Sequence, residues 1–136
     1  MIQRKQTIWL LLAIICIFLT MNFATYVGAH KDDVIHMLKG TENTILVILT
    51  SAIGVTCMIT IFLFKNRKLQ LRIALIALFL EIVLVALYLK EIVALPVKGT
   101  FGIASLLHVA VVAFILLAIV GIKNDDKLIK ESSRLR

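Results

Sequence analysis

The stretch LIALFLEIVLV, residues 75–85, places ten apolar residues around one carboxylate, that of Glu81. A helix needs about 20 mostly apolar residues to cross a hydrocarbon core of about 30 Å. Four runs of this kind are present: Ile8 to Val27, Ile45 to Phe64, Ile73 to Leu89, and Phe101 to Ile122. They are continuous rather than alternating, which favours helices over a membrane barrel. The sequence therefore predicts an all-α fold, a four-transmembrane-helix bundle.

The composition agrees with a single membrane domain spanning residues 1–136. Hydrophobic residues make up 61% of the 136 positions, against roughly half in soluble domains. The polar stretches between the runs are short, and a tail of residues 123–136 follows the last one. Chemistry is therefore expected only from side chains inside the spans, the loops or the tail.

The first run has an alternative interpretation as a secretory signal peptide, because the small residues Gly28 and Ala29 follow it. The apolar segment of such a peptide is usually about 7 to 15 residues long. The run from Ile8 to Val27 is longer. We therefore expect it to be retained as the first span.

The distribution of basic residues predicts how the chain is threaded. Eleven Lys and Arg residues lie in the N-terminus, the second loop and the tail, and four lie in the other two loops. Basic residues are retained on the cytoplasmic side, so both termini are predicted to be cytoplasmic. The basic residues that give the chain its net charge of +7 are then expected to lie near anionic lipid head groups. Nucleic acid is not an expected partner, because the charges are dispersed over short segments.

Glu81 lies near the centre of the third span and is expected to be neutral or paired. An unpaired charge at that depth costs about 3 kcal/mol on insertion scales. At about 1.5 Å per residue, Glu81 is about 12 Å from Leu89, and His108 is about 10 Å from Phe101. The third and fourth spans are antiparallel neighbours, so we predict a pair between Glu81 and His108. Tyr88 and Ser105 are the predicted polar neighbours of this pair.

Two roles for the predicted pair remain open. It joins two helices or contacts a partner subunit, or it carries a proton in a small transporter. The one proline, Pro96, falls in a loop, so the sequence lacks the broken helix of many transporters. This weakens the second role, and the first is preferred.

The second span contributes a helix-packing motif, Thr50 and Gly54, two small residues four positions apart. Small residues let helices approach closely. Cys16 and Cys57 are isolated cysteines inside spans, without a CxxC motif, and are interpreted as small buried residues.

The first outer loop contains residue types that are able to bind metals: His30, Asp32, Asp33 and His36. Their spacing matches no strong zinc pattern. A solvated loop, with Asp32 to Leu38 as a short amphipathic helix at the interface, is the preferred interpretation. The sequence predicts no metal and no cofactor.

The tail mixes charges with three apolar residues, Leu128, Ile129 and Leu135. This pattern is typical of a short amphipathic helix on the membrane surface. It is either a lipid anchor, which we prefer, or a docking surface for a partner. Arg4 is expected within reach of Asp125 or Asp126, since both ends lie on one side.

Both ends of the chain resemble those of a family of small four-span membrane proteins from Bacteroidetes that carries only a domain-of-unknown-function label. The opening MIQRKQT matches an MIQR-IQT start, and the closing Arg134, Leu135 and Arg136 match a D-R-L-R-like finish. Lys5 and Ser133 depart from the pattern, where the family has an apolar residue and an acid. The resemblance implies four helices in a bacterial inner membrane, and it implies no activity.

The sequence thus predicts an integral membrane protein that is not an enzyme, because no nucleophile and base are paired in a recognisable motif. A structural or accessory subunit is the preferred function. Its expected partners are the lipid bilayer and either a second copy or another membrane protein. The alternative is a small proton-coupled transporter using Glu81.

Overall fold

The computed structural model describes residues 3–29, 35–94 and 99–134. These residues form four helices and three short strands. In chain order they are α1 (Gln3–Asn22), β1 (Ala24–Ala29), β2 (Ile35–Lys39), α2 (Thr44–Phe62), α3 (Arg67–Ala94), β3 (Gly99–Phe101) and α4 (Ile103–Arg134). All four helices are long and apolar enough to cross a membrane. The predicted four-helix bundle is confirmed, and the chain is a multi-pass membrane protein.

The helices alternate in direction and surround a common core. α1 packs against α2 and α4, and α3 packs against the same two helices. Fully buried residues from all four helices fill the centre, among them Ala13, Ile53, Ala77 and Ile115. Large apolar side chains such as Phe79 and Leu106 are exposed on the outside, as expected for surfaces that face lipid.

The three strands form a small sheet at one end of the bundle, here called the sheet end, in the order β2, β1, β3. Both pairings are antiparallel, with Val27 opposite Met37 on one side and Thr100 on the other. The opposite end, which contains Gln6 of α1 and Asp125 of α4, is called the tail end. The sheet closes one end of the bundle and fixes the start of α4, where the amide of Gly102 donates to the Thr25 carbonyl.

Two local expectations from the sequence were wrong at the sheet end. The first apolar run was expected to be helical to Val27, but α1 ends at Asn22 and β1 follows. Thr25, Tyr26 and Val27 are good strand formers, and Tyr26 and Val27 pair with both β2 and β3. Ile35 to Leu38 was expected to be part of an amphipathic helix but lies in β2. His30, Asp32 and Asp33 lie outside the described residues.

Side-chain caps explain where α2 and α3 begin. The side-chain oxygen of Asn43 accepts a hydrogen bond from the Ile45 amide at 3.0 Å. The side-chain oxygen of Asn66 accepts one from the Leu69 amide at 3.3 Å. Asparagine is favoured at this position because its oxygen satisfies amides that have no partner within the helix. The tail continues α4 without a break to Arg134 instead of forming a separate helix.

Candidate functional site

Glu81 lies on the face of α3 that points into the bundle. Helical spacing places it with Ala74, Ala77 and Leu84, and all four side chains are buried. Glu81 itself is 0% exposed. A carboxylate with no access to water requires a partner, because its desolvation is otherwise uncompensated.

His108 supplies that partner from α4. Its Nδ1 lies 2.8 Å from Oε1 of Glu81, a normal hydrogen-bond distance. His108 shares the inward face of α4 with Ala104 and Val111 and is 5% exposed. The structure therefore brings together the two residues that the sequence placed at similar depths, and the contact joins α3 to α4.

Two polar atoms of this pair remain available. Among the residues that the structure describes, Oε2 of Glu81 and Nε2 of His108 are buried without a hydrogen-bond partner. Buried polar atoms without a partner are uncommon and costly. The contact between α3 and α4 therefore uses one polar atom of each side chain and leaves the second one buried.

The two predicted polar neighbours, Tyr88 and Ser105, make different contacts. The Tyr88 ring lies against the His108 ring, with 5.0 Å between the ring centroids. The Ser105 hydroxyl donates to the Gly102 carbonyl at 2.6 Å, at the start of its own helix. Tyr88 thus packs directly on the pair, while Ser105 stabilises the end of α4 that carries His108.

The predicted packing residues of α2 lie at its inner surface. Thr50 is 1% exposed, and its hydroxyl donates to the Leu46 carbonyl at 2.7 Å. A Cβ atom built on Gly54 would lie 3.6 Å from the Phe18 ring of α1, an ordinary contact distance. Gly54 therefore faces α1, and Thr50 satisfies its hydroxyl within its own helix.

A second polar cluster, which the sequence did not predict, lies at the tail end. The Gln6 amide nitrogen donates to Oδ2 of Asp125. Nη1 of Arg67 donates to Oε1 of Gln6 at 3.1 Å and to Oδ2 of Asp125 at 3.2 Å. We call these three residues the tail-end cluster. It connects α1, α3 and α4.

The tail-end cluster depends on a close approach of α1 and α4. A Cβ atom on Gly121 would lie 2.8 Å from Cγ of Gln6, so only glycine fits without a shift of that side chain. The expected contact of Asp125 was Arg4, whose side chain is not among those described; the observed cation is Arg67. The sequence contains one indication of this cluster: Gln6, in the MIQRKQT opening, is a polar residue at the start of an apolar run.

Two cavities lie at opposite ends of the bundle. One of about 510 Å³ at the tail end is lined by the polar residues Gln6, Thr7, Arg67 and Gln70 together with apolar residues. The other, of about 230 Å³, lies at the sheet end and is lined by Thr25, Tyr88, Ser105 and His108 among apolar residues. The second cavity reaches the Glu81–His108 pair through His108.

The tail presents an apolar surface next to charges. Leu128 and Ile129 are exposed on α4, and Leu135 lies outside the described residues. Lys127 and Glu131 form a long, solvent-exposed ion pair at 3.9 Å on the same helix.

No cluster of three or more His, Cys, Asp or Glu side chains suited to a metal occurs within the described parts of the chain. Cys16 and Cys57 are free thiols, and Cys57 is fully buried.

Comparison with known proteins places the chain in a family. No curated protein matches it, and no solved structure matches it. One family model matches residues 2–135, nearly the whole chain. With its four membrane-spanning helices, the chain belongs to DUF4293, a domain family of unknown function.

Proposed function

We propose that this protein is a non-enzymatic structural or accessory subunit of a bacterial inner membrane. The observation that carries the proposal is that both buried polar clusters join helices. The Glu81–His108 pair joins α3 to α4, and the tail-end cluster joins α1, α3 and α4. These side chains are used to hold a particular helix arrangement, which suits a protein that presents its surface to a partner.

The interior between the two cavities supports this function over transport. Gln70, at the tail-end cavity, and Glu81 are separated by Ala74 and Ala77 on the inner face of α3. Eleven helical residues span about 16 Å at about 1.5 Å per residue. Thr50 and Thr60 each donate their hydroxyl proton to a carbonyl of their own helix. An apolar segment of this length opposes movement of a proton along the bundle.

The proposed orientation has both termini in the cytoplasm. Eleven basic residues lie in the N-terminus, the second loop and the tail, and four lie in the other two loops; the cytoplasmic side retains the basic residues. In this orientation Leu128 and Ile129 are available to a second copy or to another membrane protein.

If the tail docks a partner instead of anchoring in lipid, the double substitution Leu128→Ser and Ile129→Ser is expected to remove that contact. Two exposed apolar side chains would become polar, so a partner would lose the area that it buries on them. After mild detergent extraction, the variant should elute as a smaller species than the natural protein, without fixed copurifying subunits. Gel filtration with light scattering measures the size of the species, and mass spectrometry of the eluate identifies its subunits.

The matched control is Lys127→Gln with Glu131→Gln, which changes the same helix, keeps the net charge and removes only an exposed pair. It should leave the complex unchanged. Identical elution and composition for the apolar double variant would contradict tail docking. Truncation after Lys123 is a poorer test, because it also removes Asp125 of the tail-end cluster.

A small proton-coupled transporter using Glu81 is the second candidate. It is favoured by Oε2 of Glu81, which has no hydrogen-bond partner in the described part of the chain, and by the cavity that His108 lines. If this candidate is correct, Glu81→Gln should abolish proton movement in proteoliposomes that contain a pH-sensitive dye. Glu91→Gln is the control, since Glu91 lies on the same helix and accepts a hydrogen bond from Asn43. Equal dye signals from empty liposomes and from the natural protein would exclude this candidate.

A further inference from the structure

The tail-end cavity lies where three membrane spans begin or end. Its lining comes from the start of α1, the end of α2, the residues that follow it and the start of α3. These positions are close to the boundaries of the apolar runs, so the cavity lies near the level of the lipid head groups. Ile8 and Phe62, both in the lining, are 53% and 71% exposed. A lipid beside the bundle would therefore reach this cavity directly from the membrane.

The lining combines a charged part with an apolar part. Arg67 is its only charged member among the residues that the structure describes, and the apolar members are Ile8, Ile61, Phe62 and Phe64. The volume of about 510 Å³ falls within the roughly 300 to 1,000 Å³ of typical small-molecule sites. A cavity of this size and composition suits a charged head group together with the first part of an acyl chain.

Arg67 is suited to bind a phosphate while it remains in the tail-end cluster. Its hydrogen bonds to Gln6 and Asp125 both come from Nη1, which is one of the three guanidinium nitrogens and carries two of the five N–H donors. The side chain is 10% exposed, and it contributes to the cavity lining. Guanidinium groups match phosphate oxygens in charge and in geometry. Arg67 is therefore able to hold Asp125 through one nitrogen and a phosphate through the other two.

The charges around the cavity favour an anionic lipid over a zwitterionic one. The N-terminus, the second loop and the tail carry eleven basic residues and three acidic ones. Lys5, Lys65 and Lys68 each adjoin a lining residue in the sequence, and all three are exposed. No Asp or Glu is among the described residues that line the cavity, so the lining offers no carboxylate to the ammonium group of a zwitterionic head. Basic pockets between membrane helices are sites of this kind for anionic head groups.

We propose that the tail-end cavity binds an anionic phospholipid of the phosphatidylglycerol type. The phosphate lies at Arg67, and the start of an acyl chain lies against Ile8 and Phe62. This site goes beyond the subunit role, because it depends neither on a protein partner nor on the side of the membrane that the tail end faces.

A photoreactive phosphatidylglycerol tests this site in the full chain reconstituted into phosphatidylcholine vesicles. The probe carries a diazirine in the first part of an acyl chain, and mass spectrometry locates the labelled residues. Labelling is expected in residues 7–8 and 61–64, and unlabelled phosphatidylglycerol should compete for it. Phosphatidylethanolamine, which has the same phosphate and an added ammonium group, should not compete. Free glycerol phosphate should not compete either, because it lacks the chains that cover the apolar lining.

The double variant Arg67→Met and Asp125→Leu removes the guanidinium and keeps the net charge of the chain. It is expected to weaken labelling at least about tenfold, the loss typical of one hydrogen bond to a charged group. Lys127→Gln with Glu131→Gln is the matched control, because it also removes an ion pair at constant net charge, but an exposed one on α4, and it should label normally.

Three results would overturn the proposal: equal competition by phosphatidylethanolamine, equal competition by free glycerol phosphate, or labelling spread evenly over the lipid-facing surface. Undiminished labelling of a folded Arg67→Met, Asp125→Leu variant would also contradict it. The competition experiments use the natural protein, so they are decisive even if that variant does not fold.

Discussion

Replacing His108 by leucine is expected to lower the free energy of unfolding by about 3 kcal/mol, the order expected when one partner of a buried ionic pair is removed. The substitution leaves Glu81 fully buried and without its hydrogen bond to Nδ1. Water does not replace that bond at this depth. Steric trapping in bicelles, which measures unfolding of a membrane protein at equilibrium, is the suitable assay.

The double substitution Glu81→Leu and His108→Leu separates the cost of an unpaired acid from the value of the contact itself. Replacing both partners of a buried pair by apolar residues is often nearly neutral, so the double variant should recover most of the lost stability. Glu81→Gln retains an oxygen that accepts from His108 and should cost only about 1 kcal/mol. If the double variant is as unstable as His108→Leu, the loss of stability comes from altered side-chain packing and not from the lost hydrogen bond between Glu81 and His108.

The Glu81–His108 contact illustrates what the sequence was able to predict. The distances of Glu81 and His108 from the outer ends of their apolar runs can be counted in the sequence. Because the two spans are antiparallel neighbours, these distances predict that both residues lie at a similar depth in the membrane. Depth alone does not make two side chains face each other. The small residues Ala74 and Ala77 lie at helical spacing from Glu81, and they indicate which face of α3 points inward, since small residues favour helix contacts.

The sheet could not be predicted, because hydropathy does not distinguish a strand from the end of a helix when both are apolar. The run from Ile8 to Val27 contains most of α1 and most of β1. The strand forms because β2, the next element in the chain, and β3, which is distant in sequence, both pair with it. A pairing between distant segments leaves no periodic pattern within the run itself.

The tail-end cluster was missed for a related reason. Gln6 and Asp125 are 119 residues apart, and each looks like an ordinary polar residue beside a membrane span. Arg67 was interpreted only as one of the basic residues that set the orientation. Its contact with Asp125 requires the rotation of α1, α3 and α4 about their axes, which composition and span length do not determine.

Replacing Asp125 by alanine should be the most damaging change at the tail end. The side chains of Arg67 and Asp125 are 10% and 6% exposed, so the guanidinium would lose its charged partner with little water to replace it. Gln6 would lose its acceptor at the same time. We expect the free energy of unfolding to fall by about 3 kcal/mol, measured by the same steric-trapping assay.

The control for this prediction lies six residues further along the same helix. Glu131→Ala also removes a carboxylate from an ion pair, but the pair is long and exposed, and its loss should change stability by less than about 0.5 kcal/mol. Arg67→Met combined with Asp125→Leu removes both charges and should restore much of the stability that Asp125→Ala loses. Equal stability of Asp125→Ala and Glu131→Ala would show that the tail-end cluster does not hold α1, α3 and α4 together. A large loss confined to Asp125→Ala would show that the helix ends are held by buried polar contacts and not by lipid packing alone.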